Sequence, residues 1–167
     1  TLGNTVNSSN QSNYPVSGSC TSEGATIEVT IENVTETTTC QDNEFSTSLD
    51  LNGIPEGDVT VQIKQIDNPG NEQTIGFDTE KDITPPETLT INPPTTDITT
   101  ANVQNTQISG DCDVENGGIT ISGPNSFSTQ TSCTSGTYST VADFSSIPEG
   151  TNTINVTHTD LAGNPIS

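Results

Sequence analysis

The side chains able to do chemistry in this chain are one histidine, two lysines, four cysteines and 22 carboxylates. His158 is the one residue whose unperturbed side chain would change charge near neutral pH and could act as a general base. The sequence around it holds no recognisable catalytic arrangement of serine or cysteine, and an earlier copy of the same stretch has Gln65 at this position. We therefore interpret His158 as a surface or sheet-face histidine and predict that the protein is not an enzyme.

Five carboxylates are candidates for binding a divalent cation. Three stand at alternate positions just before a proline-rich stretch, and two lie in turns rich in Asn and Gly. Calcium prefers several oxygen ligands from carboxylates and carbonyls, so it is the candidate cofactor at this junction. The alternative is that these acids are simply solvated. The candidate ligands are Asp67, Asp78, Glu80, Asp82 and Asp160, and a second acidic group with the same two interpretations is Asp111, Asp113 and Glu115.

One stretch of the chain occurs twice. Residues 40–71 recur as residues 133–164 without a gap, at a constant offset of 93 positions. Both copies contain Ile-Pro-Glu-Gly and end in Asp-x-x-Gly-Asn, while Phe45 of the first copy is replaced by Tyr138 in the second. A match of this length does not arise by chance, so the chain contains at least two copies of one unit.

The four cysteines lie at equivalent places in the two copies. Of the three possible pairings, only Cys20 with Cys40 and Cys112 with Cys133 treats the copies alike. Neither pair has CxxC spacing, which argues against zinc and thioredoxin-like chemistry. A disulfide that closes a loop of roughly 20 residues is worth about 3 kcal/mol in the chain-entropy model. These pairs therefore predict an oxidising compartment: secreted, periplasmic or cell-surface.

The composition is strongly acidic and poor in apolar residues. Two lysines against 22 acids give a net charge of −20, which would repel nucleic acid and anionic membranes, so neither is an expected partner. No apolar run is long enough to span a bilayer, and membrane insertion is not expected. Apolar residues make up 26% of the chain, so each copy can bury only a thin core. No signal peptide is present at Thr1, and we expect a processed chain or an excerpt.

Apolar and polar residues alternate along several short segments, as in Ile27, Val29 and Ile31. This period of two predicts half-buried strands. Strands of this spacing, broken by Gly, Pro and Asn turns without helical periodicity, predict an all-β fold of two tandem antiparallel β-sandwiches. Pro85 and Pro86 cannot pair in a central strand and so indicate a short Pro-rich linker. The predicted domains are residues 1–86 and 87–167.

The two copies differ at their ends. A predicted strand at residues 88–91 precedes the second copy and has no counterpart before the first. A predicted strand at residues 74–77 ends the first copy and has no counterpart after the second. Either the chain is an excerpt from a longer array, which we favour, or neighbouring molecules complete each other by strand addition.

Several motifs resemble the bacterial Ig-like repeats of large secreted and cell-surface adhesins. They are Ser-Gly-x-Cys near each repeat start, an aromatic residue five positions after the second cysteine, Asp-x-x-Gly-Asn, and the junction at residues 81–86 followed by Thr-Leu-Thr-Ile. The resemblance implies two tandem Ig-like sandwiches and covers nearly the whole chain. Unlike antibody domains, the chain has no Trp, and its cysteines are too close in sequence for the usual bridge between sheets.

The resemblance implies a non-enzymatic extracellular stalk module, secreted or on the cell surface, whose junctions calcium often rigidifies. Its partners would be neighbouring repeats of the array and an unknown host or surface ligand. The alternative is a filament or pilus-like subunit whose identical neighbours fill each other's open edges with strands. An isopeptide bond is rejected, because Lys64 directly follows Ile63 and so faces away from the core.

Overall fold

A computed structural model describes residues 5–94 and 96–167 of the chain. The chain divides into two compact units, Thr1–Ile83 and Thr84–Ser167, here called unit 1 and unit 2. The fold is all-β. Each unit is an antiparallel β-sandwich whose strands are short and joined by turns.

Unit 1 packs a four-stranded sheet in the order β3-β2-β5-β6 against a two-stranded sheet formed by β1 and β4. All pairings within these sheets are antiparallel. The thin core between the sheets is apolar, with side chains from both sheets in one cluster. The strands are β1 (Tyr14–Ser19), β2 (Thr26–Ile31), β3 (Val34–Thr39), β4 (Glu44–Leu49), β5 (Gly57–Ile66) and β6 (Glu72–Lys81).

Unit 2 repeats this plan with a four-stranded sheet in the order β12-β11-β8-β9 and the pair β7-β10. Its core includes two aromatic rings, Phe127 and Phe144, whose centroids lie 4.8 Å apart. The strands are β7 (Thr106–Asp111), β8 (Gly118–Ser122), β9 (Ser128–Ser132), β10 (Thr137–Ala142), β11 (Asn155–Thr159) and β12 (Pro165–Ile166).

Alternation in the sequence explains which faces are buried. In β2, Ile27, Val29 and Ile31 are buried while the residues between them are half-buried. Along β5, Val59 and Val61 face the same core, and intervening residues point to solvent. Successive side chains of a strand point to opposite faces, so the period of two places one apolar face on the core.

The turns predicted from sequence also form in both units. The glycine that ends Ile-Pro-Glu-Gly has a φ of 121° at Gly57 and 109° at Gly150. The glycine of Asp-x-x-Gly-Asn has a φ of 91° at Gly70 and 96° at Gly163. Glycine enters this region of φ without the steric cost that a Cβ would add, which accounts for its presence in both copies.

Strand limits differ from the sequence prediction in two places. The last strand of unit 1 is ten residues long, because β6 pairs with β5 over its whole length. The predicted strand at residues 88–91 makes one isolated bridge in the described residues, from Leu89 to Cys112, and a second joins Asn92, just after it, to Ser109 of β7.

Candidate functional site

Both predicted disulfides are formed, Cys20 to Cys40 and Cys112 to Cys133. Cys20 directly follows β1 and Cys40 directly follows β3, and these strands belong to different sheets. The expectation that such close cysteines would not bridge the sheets is therefore wrong. The ends of these strands lie close together although they belong to different sheets, so a disulfide can join them across the edge of the thin core.

The turn carboxylates Asp67 and Asp160 bind their own turns. Asp67 accepts hydrogen bonds from the backbone N–H and the side-chain amide of Asn71, at 2.7 and 2.8 Å. Asp160 accepts the same two bonds from Asn164, at 2.8 and 2.9 Å, and a third from the Gly163 N–H at 2.7 Å. The bonds from the Asn71 side chain and backbone hold the pKa of Asp67 below its usual range.

The junction carboxylates lie along and just after β6. Asp78 and Glu80 point to solvent, and Asp78 accepts a hydrogen bond from the Thr60 hydroxyl at 3.0 Å. The backbone N–H of Asp82 donates to the Val6 carbonyl. Within the described residues, no three carboxylate, histidine or cysteine side chains are grouped closely enough to hold a metal ion. Calcium binding therefore stays a prediction.

The second acidic group is divided among three separate interactions. Asp111 accepts a hydrogen bond from the Thr90 hydroxyl, and Glu115 accepts one from the Ser135 N–H. Asp113 accepts one from the Glu87 N–H at 2.8 Å. Burial tends to raise the pKa of Asp113, but backbone N–H groups including that of Glu87, together with the nearby imidazole, lower it overall. Asp111 and Asp113 thus tie the segment that enters unit 2 to its sheet, and Glu115 binds the turn before β10.

Of the two interpretations of His158, surface or sheet-face, the second agrees with the structure: the residue lies on the inward face of β11 and is fully buried. Its Nδ1 lies 3.3 Å from the Thr88 carbonyl oxygen and 3.5 Å from Asp113 Oδ1. Both neighbours are acceptors, so a hydrogen on Nδ1 would be donated to them. Its Nε2 is buried and has no hydrogen-bond partner among the described residues.

Gly117 makes room for this imidazole. A Cβ at Gly117 would lie 2.6 Å from His158 Nε2, closer than packed atoms allow. The equivalent residue of unit 1 is Ala25, because the second cysteine of each unit donates its N–H to the carbonyl of this residue. There the position of the histidine is taken by Gln65, whose amide donates outward to the Thr21 hydroxyl.

The two lysines have opposite environments. Lys64 points to solvent as predicted, and its Nζ lies 2.6 Å from Glu28 and 3.9 Å from Glu72. Lys81 is only 2% exposed. Its Nζ donates to the backbone carbonyls of Leu51 at 2.7 Å and Ile54 at 2.6 Å.

Sequence reasoning missed the buried lysine, although a signal was present. Phe77, Thr79 and Lys81 alternate with acids along β6, which places all three on the inward face. Lys81 reaches the core side of the sheet for this reason, and its Nζ then finds backbone acceptors in the turn after β4.

Comparisons with known proteins give a limited result. No family model matches the chain, and no curated protein matches it. Among the described residues there is no helix long and apolar enough to cross a membrane.

Several solved structures are similar to the chain over nearly its whole length. One is a Ca²⁺-stabilised adhesin that helps an Antarctic bacterium bind ice, with 23% identity over 97% of this chain and 43% of that chain and a TM-score of 0.47. A second is a tetra-tandem repeat from the extending region of a large adhesion protein, with 24% identity over 99% of this chain and 45% of that one and a TM-score of 0.41.

A third is from a study of host cell surface retention of a 1.5-MDa bacterial ice-binding adhesin. It is 23% identical to this chain, over 97% of this chain and 57% of its own, with a TM-score of 0.45. This chain thus spans about half the length of the solved chains that it matches.

Proposed function

We propose that the chain is a pair of stalk repeats, a non-enzymatic extracellular module that holds the adhesive part of a bacterial surface protein away from the cell. The observation that carries this proposal is that each unit has its own core and its own disulfide. Such units can bear load separately. The Ig-like motifs and the acidic surface are what a soluble, extended repeat array needs.

The candidate chemical groups support a structural role. His158 is enclosed, Lys81 is bonded to backbone carbonyls, and the turn carboxylates bind their own turns. Each of these polar side chains stabilises a local feature of the sandwich. A side chain used in this way is not available to bind or transform a substrate.

Single-molecule unfolding of the chain, tethered at both ends, tests the proposal. We expect two separate unfolding events, because each unit holds its own core. Each disulfide hides a segment of 20 or 21 residues from the applied force. Reduction should therefore lengthen each event by roughly 70 Å, at about 3.5 Å for each extended residue. A single event for the whole chain would contradict independent stalk units.

Calcium at the junction is part of this proposal. The exposed carboxylates of Asp78 and Glu80 precede the Pro-rich linker and offer the oxygen ligands that calcium prefers. A ligand that binds only the folded state raises the melting temperature by mass action. We expect calcium to raise it, chelator to reverse the rise, and the double variant Asp78→Asn/Glu80→Gln to abolish it. The control is Glu36→Gln, an exposed acid of β3. An unchanged melting temperature would remove calcium from the proposal.

The alternative, a filament subunit, makes a different prediction. Strand addition between identical neighbours would give larger species as the concentration rises. Light scattering of the purified chain distinguishes the two functions. A strict monomer at high concentration is the result expected of a stalk module.

A further inference from the structure

One Asn-Gly pair lies in the turn that binds the buried lysine of unit 1. The Ile54 N–H donates to the Leu51 carbonyl at 3.0 Å and closes this turn. Its two central residues, Asn52 and Gly53, are exposed. The carbonyls of Leu51 and Ile54 are also the two acceptors of Lys81 Nζ. Lys81 is buried and contributes to the closure of unit 1, so a chemical change between its two acceptors would act directly on this contact.

An asparagine followed by glycine can lose its side-chain amide without an enzyme, and asparagine is among the thermolabile residues for this reason. The backbone nitrogen of the glycine attacks the asparagine Cγ. A new C–N bond forms, and Nδ2 leaves as ammonia with the proton of the glycine N–H. Water then opens the five-membered imide at one of its two carbonyls. The product is either aspartate or isoaspartate, whose main chain runs through Cγ. Glycine favours ring closure because it has no Cβ.

The surroundings of Gly53 leave its nitrogen accessible. In the described part of the chain, the Gly53 N–H makes no hydrogen bond. A Cβ built at Gly53 would meet nothing within 4 Å, so the imide ring has room to form. The Asn52 side chain donates from Nδ2 to Asp50 Oδ1 at 2.7 Å. This exposed hydrogen bond restrains the amide only weakly, because water competes for both partners.

The second Asn-Gly pair of the chain, Asn116-Gly117, is held in place. Gly117 is buried, and its N–H donates to the Val114 carbonyl at 2.9 Å. A Cβ there would lie 2.6 Å from His158 Nε2 and 2.9 Å from the Thr159 carbonyl oxygen. Ring closure at this pair requires the hydrogen bond to break and the loop to open. The two pairs therefore share a sequence but differ in access.

Unit 2 has the turn of unit 1 without the reactive pair. Ser145 and Ser146 stand at the positions of asparagine and glycine. The Ile147 N–H donates to the Phe144 carbonyl at 2.9 Å, as the equivalent groups do in unit 1. The Ser145 N–H and hydroxyl both bind the Asp143 carboxylate. A Ser-Ser pair thus supports the same turn, and unit 2 is an internal reference that cannot deamidate there.

We propose that Asn52-Gly53 is a site of spontaneous deamidation whose product weakens the contacts of Lys81 in unit 1. Isoaspartate adds one carbon to the main chain between the two carbonyls that bind Nζ, which displaces one acceptor from the other. The new carboxylate also replaces the Nδ2 donor beside Asp50, so that two negative charges face each other. Loss of ammonia makes the change irreversible. The inference does not depend on the stalk function, since it concerns one turn of unit 1.

The test ages the folded chain at mildly alkaline pH and physiological temperature. Peptide mapping by mass spectrometry follows the replacement of amide by carboxylate at Asn52 and at Asn116 separately. The matched variant is Gly53→Ala, which keeps Asn52 but adds a Cβ that hinders ring closure. This variant should fold, because the Cβ has open space and Gly53 does not adopt a positive φ. The chain unfolded in denaturant gives the rates of both pairs without the fold.

We expect Asn52 to deamidate about tenfold or more faster than Asn116 in the folded chain, because the second pair reacts only after local opening. Melting of unit 1 should fall by about 5 °C as the reaction is completed, and melting of unit 2 should not change. Gly53→Ala should keep both its amide and its melting temperature. Equal rates at the two pairs in the folded chain would overturn the proposal. So would an Asn52 that stays intact when folded but deamidates in denaturant.

The link to the buried lysine is tested in a Lys81→Met background. Without Nζ, displacement of the carbonyls of Leu51 and Ile54 breaks no hydrogen bond to a charged donor. The fall in melting temperature of unit 1 on ageing should therefore be clearly smaller in this background than in the parent chain. An equal fall in the two backgrounds would show that the product does not act through Lys81 and would contradict that part of the proposal.

Discussion

The two units share one plan but bind their bordering segments through different polar groups. In unit 1, Lys81 at the end of β6 donates to two backbone carbonyls. In unit 2, the Tyr138 hydroxyl donates to the Thr90 carbonyl at 2.8 Å. Burial, followed by the charge of Asp111, raises the pKa of Tyr138, so the hydroxyl remains a donor. A buried lysine in one unit and a tyrosine in the other thus do the same kind of work, which is to bind backbone carbonyls of a neighbouring segment.

The segment that precedes β7 in unit 2 depends on two positions, of which only the aromatic one differs between the copies. Phe45 of unit 1 becomes Tyr138, which supplies the donor. Gly110 allows the segment to approach, because a Cβ there would lie 2.0 Å from the Thr90 carbonyl oxygen. In unit 1 the corresponding surface, around Gly18 and Phe45, is an open groove of about 680 Å³. A close approach of backbone therefore accounts for the glycine of the Ser-Gly-x-Cys motif in unit 2.

The disulfides should show the largest effect and should not distinguish the units. We expect Cys20→Ala/Cys40→Ala to lower the unfolding free energy of unit 1 by about 3 kcal/mol, and Cys112→Ala/Cys133→Ala to do the same in unit 2. The loops they close differ by one residue, 20 against 21. Chemical denaturation followed by unit-resolved hydrogen exchange measures both. A much greater loss in unit 2 would show that the two bridges do not contribute equally.

Substitution of Lys81 should lower the stability of unit 1 and leave unit 2 unchanged. Lys81→Met keeps the buried stem but leaves the carbonyls of Leu51 and Ile54 without their charged donor, at a cost of about 2 kcal/mol in unit 1. Unit 2 should be unchanged. The matched control is Lys64→Met, because Lys64 is a surface ion-pair residue and such pairs contribute little. Equal losses for the two lysine variants would show that burial of Nζ contributes nothing to closure.

Substitutions at Gly117 and His158 should have coupled effects on the stability of unit 2. Gly117→Ala places a Cβ against His158 Nε2 and should cost unit 2 about 1–3 kcal/mol, the usual range for overpacking. Adding His158→Gln restores the Ala and Gln combination of unit 1 and should recover part of that loss. A double-mutant cycle of thermal stability measures the coupling. Strictly additive effects would show that the backbone oxygens near Gly117, and not the imidazole, exclude the methyl group.

Much of this architecture could be predicted from the sequence. The strands could be predicted because alternation of apolar and polar residues is a local signal. The disulfides could be predicted because the cysteines recur at equivalent places in the two copies. The turns followed from Gly, Pro and Asn for the same reason. Strand lengths were harder, since β6 continues to Lys81 through exposed acids whose pairing with β5 is a tertiary contact.

The candidate sites were less predictable. Alternation places His158 and Lys81 on inward faces, but it does not reveal the acceptors that make burial tolerable. Those acceptors are backbone carbonyls of distant turns, and backbone carbonyls carry no sequence signature. The acids were read as possible metal ligands because composition cannot show that Asp67 and Asp160 are engaged by the asparagines of their own turns.

Asp67 and Asp143 each accept hydrogen bonds from a nearby residue of their own loop, and their substitution should change stability least of all. The change should appear only in acid. Hydrogen bonds from Asn71 lower the pKa of Asp67 in unit 1, and hydrogen bonds from Ser145 lower that of Asp143 in unit 2. A depressed folded-state pKa stabilises the fold above the unfolded value of about 3.9 and loses that contribution as pH falls through the folded value. Melting below about pH 4 should therefore decline less steeply for Asp67→Asn in unit 1, and for Asp143→Asn in unit 2, than for the parent chain. Because each variant should alter its own unit and spare the other, a change in both units from one substitution would show that the two sandwiches are not independent in acid.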